Sequence, residues 1–178
     1  MDSFQAARQG GEAAFLALFD EHHLALYRFA CRLTGSQADA EDIVQECFLE
    51  LLRPGCSYDP ARTPMRTYLF GVVRNQCLKR LRRSVRPAED GVAPLAAGSP
   101  ESLLLEAELE GVVASAVRAL PDTQREVLLL AHYERMPLAE IARVMELDIG
   151  AVKSRLQRAR ARLKETLAVY ATRQGRIP

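Results

Sequence analysis

The chain has 178 residues, and its 24 Lys and Arg nearly balance 23 Asp and Glu, giving a formal charge of +1. Hydrophobic residues make up 48% and charged residues 26%, an ordinary globular balance. No apolar run reaches the ~18–20 residues that span a bilayer, and the amino terminus lacks the basic-then-apolar order of a secretory signal. The expectation is a cytoplasmic protein with no membrane insertion. A near-neutral total also counts against a nucleic-acid binder, which usually carries a basic excess, but a total hides how charges are sorted along the chain.

Phe15, Leu18, Phe19, His22, Leu26, Phe29 and Leu33 recur at steps of three and four, one face of a helix. Gly35 suits a left-handed cap that ends it. Ser36 is placed to cap the next helix, with Asp39 in the first turn where a negative charge suits the helix dipole. Ile43, Val44, Cys47, Phe48, Leu51 and Leu52 form its apolar stripe, and Pro54-Gly55 stops it. A polar loop runs from Cys56 to Thr63. Pro64 fits the first turn of a third helix, whose buried side is Met65, Leu69, Val72, Val73 and Leu81.

From Arg86 to Gly98 the composition turns to Pro, Ala and Gly without periodicity, which reads as a flexible linker. Ser99-Pro100-Glu101 starts a second helical part. Leu105, Leu109, Val112, Val113, Ala116, Val117 and Leu120 continue a stripe up to Pro121. A further helix carries Val127, Leu128, Leu130 and Ala131, and two more follow from Leu138 to Met145 and from Ile149 to about Tyr170. The predicted fold is all-α, two small helical domains joined by a flexible linker.

The four cysteines, Cys31, Cys47, Cys56 and Cys77, have no Cys-x-x-Cys spacing, so no zinc site is expected. Cys31, Cys47 and Cys77 read as small core residues in a reducing compartment, and Cys56 as a loop residue. His22 and His23 are adjacent and cannot share a helix face as paired ligands would; His22 reads as a core or edge histidine. There is no nucleophile motif and no phosphate-binding glycine loop. No enzyme activity and no cofactor are expected.

The charges are segregated. Between Arg62 and Arg86 every charged residue is a cation, with Tyr68 and Phe70 among them. Between Lys153 and Arg176 the only acid is Glu165. Acids collect instead at Asp39, Glu41, Asp42, Glu46 and Glu50, and between Glu101 and Glu110. One basic run is most simply a solvated helix face. Two acid-poor runs, one in each half, suit phosphate neutralisation with counterion release, and aromatics beside them suit stacking on unpaired bases.

The last two helices have a definite geometry. Leu138, Ile141, Ala142 and Val144 face inward on a short helix, Glu146-Leu147 makes the turn, and Asp148 can cap the second helix. Gly150, Val152 and Leu156 allow close packing, while Lys153, Ser154, Gln157 and Arg158 point outward. This is a helix-turn-helix whose second helix would enter a major groove, where Lys and Arg read guanine and Gln pairs with adenine.

These segments resemble a known family. The run LAEIARVM from Leu138, with GAVKSRLQRARARL from Gly150, is similar to region 4.2 of bacterial sigma factors of the extracytoplasmic-function (ECF) group. LPDTQREVL from Leu120 resembles region 4.1, AEDIVQECFL from Ala40 resembles region 2.2, and TYLFGVVRNQCLKR from Thr67 resembles regions 2.3 and 2.4. The four motifs occur in the family's order from about Phe15 to Leu167. The resemblance implies a region 2 domain over residues 1–85, a linker over 86–100 and a region 4 domain over 101–178.

It also implies roles. Asp42, Gln45, Glu46 and Leu49 would dock on the clamp coiled coil of the largest subunit of the RNA polymerase core. Region 4 would meet the flap. Tyr68, Arg74, Asn75, Lys79 and Arg80 would hold the opened minus-ten element, with the Cys56–Thr63 loop as part of a base pocket. Lys153, Ser154, Gln157 and Arg158 would read the minus-thirty-five element, with Arg125, Arg155 and Arg160 on phosphates. The implied function is promoter recognition and strand opening, under an anti-sigma factor. Tyr68 stands where the family usually has Trp, Lys79 where Asp is common, Glu146 at the turn glycine and Ala151 at a usual threonine. The alternative, a stand-alone helix-turn-helix regulator, leaves the region 2 motifs without a role.

Overall fold

The computed structural model describes Phe4, residues 11–83 and residues 110–173. The linker expected at 86–100 and the stripe positions Leu105 and Leu109 lie outside these. Among the described residues all regular structure is helical.

The amino-terminal half is three helices: α1 (Glu12–Thr34), α2 (Gln37–Leu52) and α3 (Met65–Arg83). Gly35 ends α1 in the left-handed conformation at φ 75°, its N–H bonding the Cys31 carbonyl. Ser36 then caps α2, its Oγ accepting from the Asp39 N–H at 3.2 Å. With the two caps on adjacent residues, Gly35 and Ser36, the chain turns sharply and α1 and α2 pack side by side. Gly55, at φ 87°, turns the chain out of α2. The carbonyl of Pro64 accepts the Tyr68 N–H at 3.1 Å, and α3 begins one residue after the proline.

The apolar stripes meet as their spacing demands. Leu26, Phe29 and Leu33 of α1, Ile43, Cys47 and Leu51 of α2, and Leu69, Phe70, Val73 and Cys77 of α3 are all at most 1% exposed. Phe29 meets Phe70 edge-on at 5.4 Å. Phe15, Phe19 and Phe48 make a second aromatic contact at the outer end. Val72 and Leu81 are only half-buried.

The carboxy-terminal half has a helix α4 over 110–118, then α5 (Asp122–Leu128), α6 (Leu138–Met145) and α7 (Ile149–Arg173). The continuation of α5, Leu129–Tyr133, is a widened π turn. Val127, Leu129, Leu130, Ile141, Val152 and Ala159 are fully buried and form its core.

The two halves pack against each other. Helix α6 lies against α3, and the π turn lies against α1. One connected cluster of buried residues runs through both halves.

Candidate nucleic-acid and polymerase interface

The helix-turn-helix is built as its sequence requires. Glu146 adopts the left-handed conformation at φ 54°, ψ 46°, and its N–H bonds back to α6. Asp148 caps α7 by accepting the Ala151 N–H at 2.9 Å. Val152 and Leu156 are buried against the rest of the half. Gly150 is exposed and serves a different purpose from close helix packing: a Cβ there would sit 2.9 Å from Asp148 Oδ1, so the glycine leaves room for the cap.

On α7, Lys153, Ser154, Gln157, Arg158 and Arg160 are exposed and Arg155 is half-buried. Arg158 lies along the helix, its Nη2 donating to Ser154 Oγ at 3.0 Å. This is one continuous polar, cationic face with no acid among those residues. Arg125, expected as a phosphate contact, requires correction. It is 9% exposed, and its guanidinium donates to the Arg118 carbonyl at 2.8 Å and to Asp122 at 2.7 Å. Those bonds tie α4 to the start of α5, so Arg125 is a structural side chain.

In the amino-terminal half, Asp42, Gln45, Glu46 and Leu49 all lie on the outer face of α2, Leu49 at 59% exposure. Leu49 is thus an apolar side chain exposed between the carboxylates of that face.

The residues expected at the minus-ten element are divided. Asn75 and Lys79 are exposed. Tyr68 is half-buried, packs on Tyr58 at 5.0 Å and shares its hydroxyl with Ser57 at 3.5 Å and Cys56 at 3.6 Å. Burial pushes the Tyr68 phenol up to about 12, so the side chain stays neutral. Beside it, Ser57, Asp59, Arg62, Thr63 and Arg143 line an open cavity of about 370 Å³. The Cys56–Thr63 loop thus forms a cavity wall.

The other two are engaged. Arg80 pairs with Asp39 at 2.5 Å and with Asp42 at 3.4 Å, joining α3 to α2. Arg74 pairs across the two halves with Glu126 of α5 at 2.5 Å, where Glu126 is 1% exposed.

Sequence reasoning missed the contacts that surround that pair. Arg66 donates to the Glu134 carbonyl at 2.7 Å and lies 3.5 Å from its carboxylate. Thr67 donates to Glu140 at 3.3 Å, and the Arg32 guanidinium covers the Tyr133 ring at 4.3 Å. One signal was present: Glu126 falls on the same helix face as Leu129, Leu130 and Tyr133, an acid inside an apolar stripe. Its partner could not be read from spacing, because it lies 52 residues away.

Comparison with known proteins agrees with this architecture. The family model for Sigma-70 region 2 matches residues 18–86, and that for Sigma-70 region 4 matches residues 111–163. The ECF RNA polymerase sigma factor SigL of Mycobacterium tuberculosis is 38% identical over 162 residues, 88% of this chain and 90% of that protein. SigM of the same species is 34% identical over 169 residues, covering 92% and 82%. Among solved structures, the sigma factor RpoE in complex with the anti-sigma factor NepR from Bartonella quintana has a TM-score of 0.71 at 25% identity, covering 87% of this chain and 97% of that one. CnrH in complex with the cytosolic domain of CnrY has a TM-score of 0.72 at 29% identity, covering 94% and 96%. The chain belongs to the ECF RNA polymerase sigma factors.

Proposed function

We propose that this sigma factor docks on core polymerase through the outer face of α2 and brings promoter DNA to it with two separate surfaces. The observation that carries the reading is the capped helix α7, whose exposed Lys153, Ser154, Gln157 and Arg158 stand over a left-handed turn as a groove-reading helix. Region 2 spans residues 1–85 and region 4 spans 101–178, joined by 86–100; the matches at 18–86 and 111–163 support these bounds. Region 4 meets the flap. No helix among the described residues is long and apolar enough to cross a membrane. The protein acts where polymerase and DNA are, in the cytoplasm, as an initiation factor rather than an enzyme.

At the minus-ten element, Tyr68, Arg74, Asn75, Lys79 and Arg80 hold the displaced strand. An unstacked base enters the cavity beside Tyr68 while cations neutralise its phosphates. At the minus-thirty-five element, Lys153, Ser154, Gln157 and Arg158 read bases, with Arg155 and Arg160 on phosphates. An anti-sigma factor holds the protein inactive, a reading supported by the RpoE–NepR complex.

Reconstitution with core polymerase and mapping of protected promoters tests the reading. Retention on core and protein-dependent initiation are expected; a chain that neither binds core nor directs initiation refutes it. Glu46→Lys with Leu49→Ala should weaken core binding about tenfold or more, with helix content unchanged. Arg158→Ala should cost about 1–3 kcal/mol at one base pair of the minus-thirty-five site. A uniform loss across sequences would instead make Arg158 a phosphate contact.

A further inference from the structure

We infer that Ser154 serves groove reading as a positioning residue: it holds the Arg158 guanidinium in the orientation that meets guanine. The inference rests on the base-reading role proposed above for α7. Ser154 and Arg158 are one helical turn apart, so their side chains share a face of the helix. Arg158 Nη2 donates to Ser154 Oγ at 3.0 Å, and its Nε donates to the Ser154 carbonyl at 3.3 Å. Two bonds from one edge of a planar fork to a single residue fix the plane of the group as well as its place. Lys153, Gln157 and Arg160, exposed beside it, have no side-chain hydrogen bond or ion pair among the described residues. Arg158 is the cation of this face that is held.

The two bonds use only the side edge of the guanidinium, Nε and one Nη2 proton. The end edge, Nη1 with the second Nη2 proton, keeps its donors. Two parallel donors of that kind match O6 and N7 of guanine in the major groove. A free arginine samples many rotamers and loses that freedom on binding; here part of the ordering precedes the DNA. The acceptors are also neutral. Arg80 is held by two carboxylates, which cancel its charge. Arg158 is held by a hydroxyl and a carbonyl, and no acid lies between Ile149 and Lys164. The brace therefore orients the fork and leaves its full positive charge for the DNA. An aspartate at this position would orient and neutralise it, and an alanine would do neither. Ser154 takes its part in recognition through Arg158 rather than on a base of its own.

The test uses holoenzyme reconstituted from core polymerase and the full chain. It binds a pool of duplexes of random sequence, and the bound fraction is sequenced. The wild-type chain should enrich guanine at one position of the minus-thirty-five site, and Arg158→Ala should lower that preference about fivefold or more. Ser154→Ala should lower it at the same position about two- to fivefold, a partial loss because the carbonyl bond remains, and leave other positions within about twofold. Added to Arg158→Ala, it should cause no further loss, because the brace has nothing left to hold. Ser154→Thr, which keeps the hydroxyl, should restore the preference to within about twofold of wild type. Alanine is the stronger helix former, so the thermal midpoint of Ser154→Ala should not fall. A preference lost at a different base pair, additive with Arg158→Ala, makes Ser154 a direct reader and overturns the inference. So does an unchanged preference, an equal loss at all positions, or a loss that Ser154→Thr does not restore. If the wild-type chain enriches no sequence, or Arg158→Ala shifts no position, the groove-reading surface proposed above has failed and the brace falls with it. If Arg158→Ala shifts a position and Ser154→Ala does not, only the brace falls.

Discussion

His22 shows how a polar residue on an apolar stripe acquires a pH-dependent cost. It sits between Leu18 and Leu26 on the buried face of α1, 9% exposed. Burial lowers its pKa from the ordinary 6.5; the Glu21 carboxylate opposes this and Arg66 reinforces it. A folded-state pKa below the unfolded one means that the unfolded chain binds the extra proton first, so stability is lost as pH falls through that region. Urea unfolding at pH 8 and pH 5 should show a drop in stability on acidification that His22→Leu reduces. An unchanged difference between the two pH values would mean that other groups carry it. The spacing of the stripe already placed His22 in the core. It could not supply Arg66, which comes from α3. The cysteines follow the same logic. Burial pushes Cys47 and Cys77 up to about 12 and raises Cys31, whereas Cys56 is half-buried in its loop. The thiolate is the reactive form, so Cys56 should be the first thiol labelled by a maleimide in the folded protein. Cys56→Ser should abolish that fast phase, and its survival would show that a core cysteine is reached instead.

At the scale of elements, the helices and their ends were legible wherever a local signal decides them. Gly35 with Ser36, and Asp148 before α7, take the cap geometries their residue types favour. The turn between α6 and α7 was legible as a turn, although it places a glutamate at φ 54°. A left-handed L-residue costs about 1–2 kcal/mol, and glycine removes that cost while adding freedom to the unfolded chain. Glu146→Gly should therefore raise stability by a net ~0.5–1 kcal/mol, read as a higher thermal midpoint. A fall would mean that the exposed carboxylate contributes more than the strain it imposes. The π turn after α5 was not legible, because a helix pattern through Val127, Leu128 and Leu130 looks the same whether it closes at i+4 or i+5. Its widening, with Arg135 at φ 51°, carries Tyr133 and Glu134 to Arg32 and Arg66. Irregular turns of this kind are concentrated at functional sites.

At the scale of the whole molecule, the near-neutral charge is a sum of surfaces that face different partners, and one of those partners is the chain itself. The basic runs were visible along the sequence; the acids that answer them were not, because Glu126, Glu134 and Glu140 lie scattered among apolar residues. The pair Arg74–Glu126 has side chains only 13% and 2% exposed. Breaking such a pair by removing one partner typically costs about 3–5 kcal/mol, because the other charge stays buried, while replacing both with apolar residues is often neutral. Here the molecule has an escape: if region 4 swings away, Arg74 and Glu126 regain water. The cost of a single change is then limited by the free energy with which the two halves pack, and it appears as expansion before it appears as unfolding. Arg74→Met should raise the radius of gyration measured by small-angle scattering, with helix content preserved. Arg74→Met combined with Glu126→Leu should return the protein to the compact form, since neither buried charge remains to be rehydrated. A single variant that stays compact and loses global stability instead would show that Glu126 is enclosed by region 4 alone, and that the halves are held together by the Arg66 and Thr67 contacts.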